Sequence, residues 1–103
     1  MSLTIFWQYD VKPDAVEQFE RIYGSVGDWA ELFGRAPGYL GTELHRDVAT
    51  PRRYIVLDRW RSAAAFEKFR AQFNSEYAAL DRACTVLSER ELPLGTYEQL
   101  ENY

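Results

Sequence analysis

"RYIVLDRWRSAAAFEKF", residues 53 to 69, decides the fold because its period changes in the middle. Up to Trp60 it alternates, with Tyr54, Val56, Asp58 and Trp60 on one side and Ile55, Leu57 and Arg59 on the other, as a strand does. After Ser62, a favourable N-cap, apolar residues recur at Phe66, Phe69, Phe73, Tyr77 and Leu80, the spacing of one unbroken helical stripe. Strand therefore feeds helix, and Trp60 sits where they meet.

Upstream, "PGYLGTELHRD" opens with a Pro-Gly turn and continues as a strand over residues 39 to 47, and "VATP" turns the chain into the strand at 52 to 60. With the turn centred on Ala49 and Thr50, cross-strand partners have numbers summing to roughly 99. This register puts Leu40, Thr42, Leu44, Ile55 and Leu57 on one face. Tyr39, Gly41, Glu43, His45, Tyr54, Val56, Asp58 and Trp60 fall on the other.

"LTIFWQYDV", from Leu3, alternates as a first strand. In "KPDAVEQFERIYG" Pro13 suits a first helical turn, Val16, Phe19, Ile22 and Tyr23 keep helical spacing, and Gly24 stops the run. A short helix, "DWAELFGR", follows with Asp28 as its expected N-cap. "CTVLSEREL" reads as a fourth strand, and residues 92 to 103 as a tail docked by Tyr97, Leu100 and Tyr103. The order β, broken α, β, β, α, β is the split βαβ arrangement of ferredoxin-like α+β domains: a four-stranded antiparallel sheet with helices on one face. Residues 1–103 form a single domain with its core at about 3 to 91. Two helices cover one face only, so a homodimer packed sheet to sheet through Leu40, Leu44, Ile55 and Leu57 is expected.

Sixteen acidic against twelve basic residues give a net charge of −4, which excludes a general nucleic-acid binder. Arg46, Arg52, Arg53, Arg59 and Arg61 crowd the hairpin as a solvated rim or an anion-attracting patch. One cysteine, Cys84, and one histidine exclude the usual zinc motifs and fit a reducing compartment. No apolar run approaches a membrane span and no signal-peptide pattern opens the chain, so a cytoplasmic protein without membrane partners is expected. Aromatic residues make up 16% of the chain, more than a small core needs, which points to a pocket or an interface.

"PGYLGTELHRD" followed by "RYIVLDRWRSAAAFEKF", in a chain of this length and element order, resembles the antibiotic biosynthesis monooxygenase family of dimeric α+β barrels. The likeness covers about residues 3 to 91. Family members include cofactor-independent oxygenases of aromatic polyketides and quinols, haem-degrading enzymes, and domains without an established reaction. The resemblance implies a pocket between sheet and helices with Trp60 in its wall. Polyketide-oxidising members carry a polar Asn four residues before that Trp and a Tyr six after it, where this chain has Val56 and Phe66. Haem-degrading members ligate iron through a His on the second helix, and none stands there here.

By resemblance, the expected activity is cofactor-independent monooxygenation of a small aromatic or polyketide-like substrate. His45, Tyr9 and Asp58 are the candidates for proton transfer, while Trp60, Trp7, Tyr54, Val56, Phe66, Phe69 and Phe73 would hold the substrate. Tyr9, Tyr54 and Tyr77 each offer a hydroxyl to orient a phenol or quinone oxygen. His45 is the single histidine of the chain, the residue type suited to carrying a proton near neutral pH. Asp58 acts as a base if buried, or else pairs with a nearby arginine. Glu43, His45 and Asp47 stand about 7 Å apart along a strand, too far to converge on a metal, so no metal and no cofactor are expected. The alternative is a non-catalytic, stress-related dimer that sequesters a small hydrophobic ligand against an apolar wall, or a plain assembly module.

Overall fold

The structure, a computed structural model, describes residues 2–100. The chain runs β1 (Leu3–Val11), α1 (Val16–Tyr23), α2 (Asp28–Phe33), β2 (Tyr39–Arg46), β3 (Arg53–Trp60), α3 (Ala63–Gln72), α4 (Asn74–Cys84), a 3₁₀ turn (Thr85–Leu87) and β4 (Ser88–Glu98). The strands form one antiparallel sheet in the order β2-β3-β1-β4, and the helices pack on one face, the expected α+β arrangement. Its core lies between them: Val11, Phe19, Tyr54, Trp60 and Phe69 are buried with Trp29, Leu32 and Phe33 of α2.

The hairpin register differs from expectation by one residue. Thr42 pairs with Asp58, Leu44 with Val56 and Arg46 with Tyr54, all summing to 100 rather than 99. The turn explains the slip. Asp47 Oδ1 accepts from the Ala49 and Thr50 amides at 2.7 and 3.0 Å, and Arg52 takes a left-handed φ of 65°, which centres the turn on Thr50. A bulge at Leu40, made possible by Gly41 at φ 145°, then restores the Tyr39–Trp60 pairing. Because side chains alternate, one residue of slip exchanges the faces of β2. Thr42 and Leu44 therefore lie on the helix-covered face, and Glu43 and His45 on the open one. Leu44 drops out of the expected sheet-to-sheet surface, leaving Ile55 and Leu57 there with Phe6, while Leu40 projects at the bulge.

The long helix is broken. At Phe73 (φ −112°, ψ 28°) α3 ends, and α4 restarts with the Tyr77 amide bonded to the Phe73 carbonyl at 2.9 Å. Asn74 and Ser75, weak helix-interior residues that favour helix starts, mark the site. Asp28 is not the N-cap of α2. Gly27 holds that place, since a Cβ there would meet the Arg21 and Ile22 carbonyl oxygens at 2.3 Å.

The expected fourth strand begins at Ser88, after the helix and 3₁₀ turn that contain Cys84 to Leu87, and continues to Glu98 through residues read as a tail. Pro93 and Gly95 look like breakers, but β4 is an edge strand, where a missing N–H is tolerated and a bulge absorbs the glycine. Tyr97 docks edge-on against Phe6 on the open face, with centroids 5.3 Å apart, Leu100 is exposed, and Tyr103 lies outside the described residues.

Candidate active site

A cavity of about 120 Å³ lies between sheet and helices, lined by Trp7 and Tyr9 of β1, Tyr23 of α1, Trp29 and Phe33 of α2, Val56 and Asp58 of β3, Tyr77 and Asp81 of α4, and Glu91 of β4. Alternation places its floor: Trp7 pairs with Val56 and Tyr9 with Tyr54, so their side chains share the face of Asp58. The helices supply the roof. The break at Phe73 lets α4 set Tyr77 against Trp29, with centroids 5.1 Å apart. Asp81 and Glu91 are exposed and mark the rim.

Asp58 is the buried acid of this cavity. It is 8% exposed, and its partner among the described residues is a hydroxyl, not a cation: Thr42 Oγ1 donates to Oδ1 at 2.7 Å. The expected pairing with an arginine does not form. Arg53 binds Asp10, Arg59 binds Glu43, and Arg46 reaches Glu20. With its proton committed to Asp58, Thr42 accepts from the Tyr39 hydroxyl at 2.5 Å. Burial lifts the Asp58 carboxyl from 3.8 to about 6, with the Thr42 bond opposing. Burial, with Asp81 adding, also raises Glu91 above the usual carboxylate range. Burial first and neighbouring negative groups second keep the Tyr9, Tyr23 and Tyr77 hydroxyls protonated, although Arg70, stacked 3.9 Å above Tyr77, opposes this at that ring.

The residues singled out from the sequence divide. Tyr9, Asp58, Trp7 and Val56 meet in the cavity. Trp60 does not line it: fully buried, it packs on Phe33, Tyr39, Phe66 and Phe69 with centroids 5.3 to 5.5 Å away, and its indole N–H has no hydrogen-bond partner among the described residues. Phe66, Phe69 and Phe73 belong to that core stack. Tyr54 is buried too, and its hydroxyl donates to Glu20 away from the cavity. His45 is on the opposite face, in an exposed group where its Nε2 meets Glu43 at 2.9 Å. That follows from the register slip alone.

Sequence reasoning missed Tyr23, Trp29, Phe33, Asp81 and Glu91. The three aromatics stood at helical spacing beside other core residues, and nothing marked them as cavity walls. Glu91 follows Glu89 in simple strand alternation, and its place opposite Tyr9 requires the β1–β4 register.

The sequence matches the family model described as antibiotic biosynthesis monooxygenase over residues 2–78. No curated protein matches it. Among solved structures, a mutant of SnoaB, a cofactor-independent oxygenase from Streptomyces nogalater, is similar with a TM-score of 0.80 and 22% identity over 98% of this chain and 95% of that one. PA3566 from Pseudomonas aeruginosa (TM-score 0.67, 20% identity, 96% and 94% covered) and SO0527 from Shewanella oneidensis (0.69, 20%, 95% and 90%) are similar too. At these identities the likeness is one of fold.

Proposed function

The chain belongs to the antibiotic biosynthesis monooxygenase family, and on that premise we propose that it is a cofactor-independent oxygenase of a small aromatic substrate bound in the Asp58 cavity. The observation that carries this reading is a carboxylate buried among aromatic rings, with a hydroxyl as its one partner among the described residues and a pKa raised to about 6. Such a group takes a proton from an acidic C–H or O–H near neutral pH, where an arginine-paired aspartate is too weak a base. A cavity of about 120 Å³ is near the roughly 150 Å³ that holds one benzene ring, so one ring of the substrate enters.

The steps balance without a cofactor. Asp58 removes a proton from an activated CH₂, the carbanion passes one electron to O₂, and the resulting radical pair combines into a C–O bond. The peroxide anion takes the proton back from Asp58 to give a hydroperoxide; Asp58 then removes the second C–H as the O–O bond breaks, and the departing hydroxide takes that proton to leave as water: CH₂ plus O₂ gives C=O plus H₂O. Tyr9 is positioned to orient the oxygen, and Trp7, Trp29 and Val56 exclude water.

A sequestering domain without chemistry would need the apolar wall expected from Val56, Phe66, Phe69 and Phe73. Of these Val56 lines the cavity, the three phenylalanines lie elsewhere, and acids and tyrosines stand in the wall. Oxygen uptake with a panel of quinols and anthrones, with no added flavin or metal, separates the two: uptake by the native chain that Asp58→Asn lacks supports the oxygenase, and its absence across the panel removes it. We further propose that the open face, with Phe6, Ile55 and Leu57, pairs with a second copy. A sedimentation mass equal to one 12.0 kDa chain at micromolar concentration would contradict that.

A further inference from the structure

Everything charged that lines the cavity is negative. Asp58 stands at its floor and Asp81 and Glu91 at its rim, and no lysine, arginine or histidine is among the lining residues. The remaining wall is Val56 and six aromatic rings, several in direct contact: Tyr9 on Tyr23, Tyr23 on Trp29, and Trp29 on Tyr77, with centroids 4.9, 6.2 and 5.1 Å apart. One of these rings already carries a cation, since the Arg70 guanidinium lies 3.9 Å from the Tyr77 centroid. Asp58 is more than nine-tenths buried, and Thr42 engages one carboxylate oxygen, leaving Oδ2 without a partner among the described residues.

Aromatic rings beside carboxylates, with no basic group, attract a weakly hydrated cation such as an alkylated ammonium, whose charge meets ring quadrupoles and carboxylates together. The same surroundings oppose an anion. A proton given to Asp58 neutralises that carboxylate, but the carbanion left behind forms beside Asp81 and Glu91 with no cation in the lining to offset it. A positive charge on the substrate supplies that offset.

We propose that the Asp58 cavity binds substrates carrying a compact cationic group, a methylated or alkylated ammonium, and that this charge offsets the anion formed on deprotonation. This inference rests on the cavity being the substrate site. It deepens the oxygenase reading, which by itself leaves the substrate's charge open.

The test compares choline with 3,3-dimethylbutan-1-ol, its uncharged carbon isostere, by titrating each into the intact protein at pH 8. The readout is the indole N–H signals in nitrogen–proton NMR spectra. Choline should bind about tenfold more tightly and shift the Trp7 and Trp29 signals more than that of Trp60, with the preference shrinking in high salt. The double variant Asp81→Asn with Glu91→Gln, and separately Tyr77→Leu, should each reduce the preference by about two- to fivefold. The rim variant changes only exposed residues, so it reads out even where Tyr77→Leu fails to fold. Equal affinities, tighter binding of the neutral isostere, or no shift from either probe overturns the proposal. Oxygen uptake from neutral quinols with no choline preference would leave the oxygenase standing and remove the cation site. Choline preference with no oxygen uptake across the panel would do the reverse.

Discussion

The two faces of the sheet treat their acidic groups in opposite ways. On the open face Glu43 meets Arg59 at 2.7 Å and His45 at 2.9 Å, and Asp10 meets Arg53 at 2.8 Å. The hydrogen bond from His45 first, then the Arg59 charge, holds Glu43 below its usual range, and the hydrogen bond from Arg53 does the same for Asp10. On the covered face Asp58 has a hydroxyl and aromatic walls, and its carboxyl rises to about 6. The sheet is common to both, so the difference teaches that the surroundings decide which carboxylate can exchange a proton near neutral pH.

The sharpest way to probe the covered face is to hollow it. Trp60→Ala removes a fully buried ring from the centre of the aromatic stack and should lower the unfolding free energy by about 3–5 kcal/mol, measured by urea denaturation. Removing the carboxylate tests the chemistry. Asp58→Asn should reduce turnover of any accepted substrate by about a hundredfold or more while the far-ultraviolet circular dichroism stays native.

Asp58 also makes stability depend on pH. Below about 3.8 it is protonated in both the folded and unfolded chain, and above about 6 it is ionised in both. Between those values the folded chain keeps a proton that the unfolded chain has released. Its contribution is therefore fully present at low pH and is lost as pH rises through 6, a change of about 3 kcal/mol. Asp58→Asn should flatten that part of the curve, and an unchanged curve would mean that Asp58 has its ordinary pKa. The smallest effect belongs to the open face. His45→Ala should change stability by less than about 0.5 kcal/mol and turnover by less than about twofold, because it breaks only an exposed pair. A large loss of activity would break the division between the faces.

Much of the fold was legible in the sequence. Alternation in "LTIFWQYDV" and "RYIVLDRW", and aromatic spacing after Ser62, gave the strands, the helical face and the element order. The site was half legible for one physical reason: strand periodicity says which residues share a face, but a turn sets the register. A slip of one residue at Asp47–Arg53 moved His45 away from the cavity and brought Thr42 to Asp58. The family resemblance implies a pocket wall at Trp60, a side chain that ends a strand beside a helix. Its depth in the core depends on Phe33 and Tyr39, which fold back over it from α2 and β2. Glu91 could not be placed, since β4 is a polar edge strand whose pairing depends on bulges opposite Trp7 and Val11.

Titration of the Asp58 carboxyl carbon by NMR, with Asp58→Asn to assign the signal, addresses the functional reading most directly. A midpoint near 6 is predicted. A midpoint at or below the ordinary 3.8 would contradict it, and would make Asp58 a structural partner of Thr42 like the paired acids on the open face.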